Sequence, residues 1–286
     1  MAGINIGTAT TASALDDADR FAMWDSTTAL WRPITGATLR SQLANRTTSI
    51  SNIAASGAIG AASVVDDYDI AILGQTTATI LLSNPTPADT GQYRRYRWYN
   101  GGTVPVWNAY GQFIQVGGFA DQMYIPGTGW KGIGTKFPQT VALSGTPVAY
   151  PSDTNANSIT LLTVPGGFPA AGSSFDILLG IDNSSGTSSK TVTCSFGSFN
   201  LYTAGSLLAS ATGMVGIAKT LILPTTSSQV SLANIAGNFS SAAGGLSLAG
   251  TQNTASNTAI NATVTKGTAG DTTTLRYYRV TYTHGA

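Results

Sequence analysis

The chain has 286 residues, a net charge of +1 from 14 Lys+Arg against 13 Asp+Glu, and only 9% charged residues, where a soluble domain usually carries about a quarter. Nucleic-acid binding driven by phosphate neutralisation needs a basic excess, so these totals argue against a nucleic-acid partner. The lone Cys194 excludes an intrachain disulfide.

Glutamate is absent, and Ser, Thr, Asn and Gly take over the solvent-facing role. These residues compete with a helix backbone or lose rotamer freedom on it, which predicts a mainly β protein. No run of about 18 apolar residues occurs, so no membrane insertion is expected. The first residues lack the basic and apolar regions of a signal peptide, so synthesis in a cytoplasm is expected. Oligomerisation is the natural stabiliser for such a chain.

Residues 1–46 begin small and polar. Leu15–Asp25 then leads into a turn at Ser26-Thr27-Thr28, Leu30-Trp31-Arg32 reads as a second strand closed by Pro33, and Thr35 caps a short helix over Ala37–Leu43 with Leu39 and Leu43 on one face. A hairpin and one helix cannot bury a core alone, so this piece is expected to fold against copies of itself or another protein. Residues 47–65 are rich in small side chains and read as a linker or a slender shaft. Two aspartate-rich stretches, Asp16-Asp17-Ala18-Asp19 and Asp66-Asp67-Tyr68-Asp69, form a weak repeat. Structural turns are favoured over calcium, because an EF-hand-like loop needs more oxygen ligands and a glutamate.

Residues 66–137 form a central, aromatic-rich segment. Strands are predicted at Ala78–Leu82, Gln92–Tyr99, Val104–Tyr110, Phe113–Val116, Gln122–Ile125 and Gly129–Ile133, with hairpin turns at Gly101-Gly102 and Gly117-Gly118. Arg94, Arg95 and Arg97 interleave with Tyr93, Tyr96, Trp98 and Tyr99. That mixture suits a single-strand nucleic-acid platform, but two-faced strand patterning explains it more simply.

Residues 138–286 are expected to form an antiparallel β-sandwich of jelly-roll type. Its strands are Thr140–Leu143, Ser158–Val164, Ser174–Ile181, Lys190–Phe196, Asn200–Thr203, Thr220–Leu223, Gln229–Leu232, Ala259–Val264 and Thr273–Tyr282, with turns at Pro165–Pro169 and Asp182–Gly186 and a loop at Ala242–Thr258. In the last strand, alternation puts Leu275, Tyr277, Arg279, Thr281 and Thr283 on one face and Thr274, Arg276, Tyr278, Val280 and Tyr282 on the other.

Catalytic chemistry is sparse. The only histidine is His284, with no nucleophile elbow, and Cys194 falls on the Val192/Phe196 face as a buried packing residue. Ligand poverty argues against zinc, and no phosphate-binding glycine loop occurs. Asp153, Asp176 and Asp182 are candidates for a glycosidase pair, although aspartate is foremost a turn former. The expectation is a non-enzyme with no cofactor and no metal.

The pattern Leu15-Asp16-Asp17-Ala18-Asp19, Asp25-Ser26-Thr27-Thr28, Trp31-Arg32-Pro33-Ile34-Thr35, Leu39 and Leu43 resembles the opening of bacteriophage tail-fibre proteins. Ala78–Leu82, Gly111–Ile114 and Gly129–Gly134 are similar to the small β-domains of such fibres. Ile159–Val164, Pro165–Pro169 and Lys190–Gly197 look like the trimeric jelly-roll tips of fibre and head-fibre proteins. The resemblance implies a homotrimeric virion protein, attached to other virion proteins through Leu15, Phe21, Trp24, Trp31, Leu39 and Leu43. Its sandwich tip would contact a host surface glycan or protein, with Tyr277, Tyr278 and Tyr282 available for sugar stacking and the loops Asp182–Ser189 and Ala242–Thr258 as ligand sites. The alternative is a capsid decoration, head-fibre or collar protein without a receptor. A glycan-cleaving tailspike would need a carboxylate cleft or a long β-helix.

Overall fold

A computed structural model describes residues 20–25, 30–35, 47–50, 53, 57–58, 70–83, 90–91, 93–134, 137–185, 188–201, 205–207, 213–236 and 247–285. All regular structure among them is β. The chain divides into two compact units, Met1–Thr47 and Thr48–Ala286.

In the first unit β1 (Arg20–Asp25) and β2 (Leu30–Thr35) form an antiparallel hairpin with Trp24 opposite Trp31. Pro33 does not close β2 as expected. The strand runs on to Thr35 with Pro33 opposite Ala22, because an edge strand can face its missing N–H away from its partner. The predicted helix, with Leu39 and Leu43, lies outside the described residues, as do Leu15 and both aspartate-rich stretches.

From the unit boundary onward the first strands are β3 (Thr47–Ile50), β4 (Gly57–Ala58), β5 (Ile70–Leu73), β6 (Leu81–Ser83), β7 (Arg94–Asn100), β8 (Val106–Asn108), β9 (Gln112–Ile114), β10 (Phe119–Ile125) and β11 (Gly129–Gly132). They make two sheets, β11-β10-β7-β5-β3 and β4-β6-β8-β9. Thus Thr47–Ile50 and Gly57–Ala58, in the segment read as linker or shaft, are sheet strands, and both main-chain groups of Ile53 hydrogen-bond the buried side chain of Gln75.

The two glycine pairs are not hairpin turns. Gly101-Gly102 leads from β7 to β8 and Gly117-Gly118 from β9 to β10, so each carries the chain from one sheet to the other. Gly102 lies so close to the Gln75 backbone that a Cβ has no room, and Gly117 and Gly118 bond both main-chain groups of Asn100. Close backbone approach selects glycine at 102, and a left-handed φ of +75° selects it at 117.

The remaining strands are β12 (Gln139–Ser144), β13 (Val148–Ala149), β14 (Asn157–Val164), β15 (Ser173–Ser185), β16 (Lys190–Phe196), β17 (Phe199–Asn200), β18 (Gly205–Leu207), β19 (Gly213–Thr225), β20 (Ser228–Ala236), β21 (Ser247–Gly250), β22 (Thr258–Lys266) and β23 (Thr272–Thr283). One sheet runs β12-β23-β15-β19-β20-β21 and the other β14-β22-β16-β17. The orders β12-β23-β15-β19 and β14-β22-β16-β17 are those of a jelly roll, as the strand spacing predicts.

Three expectations fail here, for related reasons. The turn at Asp182–Gly186 and the ligand loop Asp182–Ser189 are instead strand as far as Ser185, because β19 and β23 pair with β15 through Asn183 and Ser185 respectively. Tertiary pairing overrides local turn propensity. The loop Ala242–Thr258 contains β21, paired with β20. The two-face reading of β23 holds only over half its length. Gly180 faces Tyr277 while Ile181 faces Leu275, so a bulge at Arg276 flips the parity. Leu275 is buried before it and Val280 and Tyr282 after it.

The jelly-roll core is lined by an aromatic chain: Trp107 to Phe168 at 4.7 Å, Phe168 to Tyr282 at 4.7 Å, Tyr282 to Phe175 at 4.9 Å, and Phe175 to Phe196 at 6.1 Å between ring centroids. Phe168 enters it from the predicted turn, held by Gly167 at φ +80°. Trp107 comes from β8. Its strand neighbour Val106 points the other way, joining Leu82, Trp98, Ile114 and Trp130 in the core beneath β7 and β10. The β6-β8-β9 sheet is therefore buried on both faces.

Candidate functional site

The residues proposed for chemistry from sequence are dispersed and engaged locally. Asp153 accepts from Asn155 N and Asn157 Nδ2, Asp176 accepts from Thr220 Oγ1, and Asp182 binds Arg276. Asp176 and Asp182 lie six residues apart on β15, about 20 Å along an extended strand. No cluster of three His, Cys, Asp or Glu residues occurs among the described residues. Cys194 is fully buried between Val192 and Phe196, as predicted.

Of the tyrosines considered for sugar stacking, Tyr282 is fully buried and Tyr278 packs against the core. The bulge at Arg276 is the reason for Tyr282, and it removes that ring from any surface site. The Tyr282 hydroxyl instead lies 2.9 Å from Ser173 Oγ and 2.8 Å from His284 Nδ1. Burial lowers the His284 pKa. The neutral form of the imidazole is thereby favoured, and its tautomer sets which of the two groups donates in this hydrogen bond. The ring also closes over Gly111, where a side chain would collide with it.

At one end of the sandwich two lysines point inward. Lys190 and Lys266 are register partners on β16 and β22 and both are buried. Lys190 Nζ sits 3.2 Å from Asp271 Oδ2, and Lys266 Nζ donates to the carbonyls of Pro151 at 2.7 Å and Tyr150 at 3.3 Å. The Ser188 hydroxyl, then Lys190, hold the Asp271 pKa below its usual value. Lys190 is thus ion-paired, while Lys266 is held by main-chain carbonyls and burial lowers its pKa.

One described surface that remains unspent is the outer face of β7 and β10. Strand β7 buries Tyr96 and Trp98 and exposes Arg95, Arg97 and Tyr99. The nucleic-acid platform thus loses two of its four aromatics to the core. Across the register Phe119 pairs with Tyr99 and Asp121 with Arg97. Arg97 grips Asp121 through Nε at 2.8 Å and Nη2 at 3.0 Å, while Arg95 adds Nη2 at 3.1 Å. The hydrogen bond from Arg97 is the main cause that keeps the Asp121 pKa low. Two guanidinium groups on one carboxylate leave a net positive charge. Arg97 also lies 4.6 Å over the Phe119 ring, a cation–π contact.

Beside Phe119 a cleft of about 210 Å³ opens between Phe113, Asp121, Ile133 and Gln139. Its floor is fixed by a buried amide chain: Trp98 Nε1 donates to Gln122 Oε1 at 2.7 Å, Gln122 Nε2 to Gln112 Oε1 at 2.9 Å, and Gln112 Nε2 to the Asp121 carbonyl at 2.8 Å. Gln139 bridges the Phe113 N–H and the Gly111 carbonyl from the opposite wall. Sequence reasoning singled out the arginines but not Phe119, Asp121, Ile133 or Gln139. The available signal was in FADQMYI, where the apolar residues Phe119 and Met123 share a parity with Asp121.

No family model and no curated protein sequence matches this chain. Among solved structures it is similar to the infectious bursal disease virus VP2 subviral particle, with 11% identity over 61% of this chain and 45% of that one, TM-score 0.30. It is also similar to T=1 particles derived from the same virus, with 13% identity, 61% and 44% coverage, and TM-score 0.29. The matched region thus spans less than half the length of those capsid chains, and resemblance at this level assigns no role.

Proposed function

We propose that the chain is a structural protein of a virus particle, and within that class a homotrimeric bacteriophage fibre whose N-terminal hairpin docks on other virion proteins and whose jelly roll reaches a host surface. The observation that carries the assembly reading is a free sheet edge. Among the described residues, strands β12 and β13 pair only with β23, and the start of this region exposes Phe137 at 72%, Leu143 at 61% and Val148 at 42%. An exposed apolar edge is a template for another chain, and a sparsely charged protein that keeps one is built to be covered.

Phe21, Trp24 and Trp31 on the β1–β2 hairpin, with Leu15, Leu39 and Leu43, are proposed to make the virion contact. No enzymatic step, cofactor or metal enters this reading. Light scattering of the purified protein tests it, with about three chain masses expected; a monomer would sink the trimer. Cryo-EM of the particle separates a projecting fibre from a decoration or collar protein cemented between neighbours.

A further inference from the structure

We propose that the cleft beside Phe119, together with the Arg95–Arg97 shelf, binds one acidic sugar ring of the uronic-acid type. The inference deepens the host-contact reading and rests on it for the source of the sugar, but moves the contact from the jelly-roll loops to the central sheet.

Size is the first argument. A cleft of about 210 Å³ falls below the range of about 300 Å³ and upward typical of drug-sized ligands, and matches one pyranose ring better than an extended chain. Ring chemistry is the second. Phe119 is 62% exposed, and Arg97 covers one face of its ring. Its remaining surface is a rigid apolar platform beside polar walls, the combination that receives the C–H face of a sugar while its hydroxyls turn to hydrogen-bonding groups. Gln139 contributes such a group, since Nε2 donates one of its two hydrogens to Gly111.

Charge selects the acid. The Arg95 side chain is 67% exposed and gives only Nη2 to Asp121. Its remaining guanidinium donors can take a carboxylate in the planar geometry that arginine favours. Lys131, exposed on neighbouring β11, adds a second cation. Asp121 does not repel the ligand, because both arginines already neutralise it. The floor is preorganised by the Trp98–Gln122–Gln112 chain, so binding needs little reordering.

The test is calorimetric titration of the full chain with three probes: a glucuronic-acid oligosaccharide, a glucose oligosaccharide of equal length, and oligothymidylate. The expected result is salt-sensitive binding of the uronate, about tenfold weaker binding of the neutral sugar, and about tenfold loss of uronate binding in both Phe119→Ala and Arg95→Gln. Both residues are exposed, so melting temperature and scattering mass should not change. The proposal is overturned by absent uronate binding, by equal binding of the neutral sugar, by tighter binding of oligothymidylate, or by indifference to Phe119→Ala. Titration reads the cleft and scattering mass reads the assembly, so either proposal can fail alone.

Discussion

Strands β22 and β10 alternate with the same period and opposite chemistry. In β22 the inward residues Ile260, Ala262 and Val264 are apolar and the outward Asn261, Thr263 and Thr265 are polar. In β10 the inward set is Ala120, Gln122 and Tyr124, while Phe119 and Met123 face outward on either side of Asp121. β22 follows the rule for a half-buried strand. β10 inverts part of it, with an amide inside and an aromatic ring outside. Core strands announce architecture by obeying the pattern, and the inversion underlies the proposed ligand surface.

The largest expected effect comes where the two cores share a sheet. Trp107 reaches the jelly-roll core while Val106 beside it serves the core under β10. Trp107→Ala should cost about 3–5 kcal/mol in urea unfolding, the range for truncating a buried aromatic. A loss below about 1 kcal/mol would show that β8 does not join the cores.

The inner face of β10 gives the next test. If Gln122 were only a misplaced core residue, Gln122→Leu would be neutral or stabilising. Because Leu would orphan the Trp98 indole N–H and the Gln112 carbonyl, the expected outcome is a loss of about 1–3 kcal/mol. Chemical denaturation decides between the two. The same substitution should also loosen the cleft floor, which ties stability inside the sheet to the proposed ligand surface outside it.

Much of the jelly roll was legible in the sequence because its strands obey alternation: Lys190–Phe196 was predicted with the bounds it has, and Cys194 with its packing role. What was not legible depended on partners far away in the chain. Asp182–Ser185 reads as a turn yet is strand because β19 and β23 pair along it. Tyr282 was assigned to the other face from Leu275, yet both are core residues because one bulge intervenes. The glycine pairs 101–102 and 117–118 look like hairpins yet carry the chain between two sheets, with close backbone approach at Gly102 and a left-handed φ at Gly117. The cleft was half legible: arginines interleaved with aromatics drew notice, while Phe119 and Asp121 became meaningful only through their register with Tyr99 and Arg97.

A smaller effect is expected from pH. His284 has a lowered pKa in the folded protein, so the unfolded chain takes up the proton first. Its contribution is present above the unfolded value of about 6.5 and lost as pH falls through the folded value. Melting temperature should drop by a few degrees on acidification through this window, and His284→Gln should flatten that part of the profile. A profile equally steep in the variant would assign the dependence elsewhere.

The smallest effect on stability gives the sharpest reading of the comparison. The double variant Phe119→Thr, Met123→Thr gives β10 the outward residues that β22 already has. Both sites are off the core, so unfolding free energy should stay within about 0.5 kcal/mol per site; threonine is itself a good strand residue, which opposes any loss. If the inversion exists for an external partner, the variant should remain as stable as the parent while binding less of an apolar dye and losing uronate affinity. If it instead supports the sheet, by shielding the Arg97–Asp121 pair under Phe119, stability should fall with the ring. Paired melting and dye-binding curves separate these outcomes, because only the first predicts that the outer face of β10 can be made to look like β22 without cost to the fold.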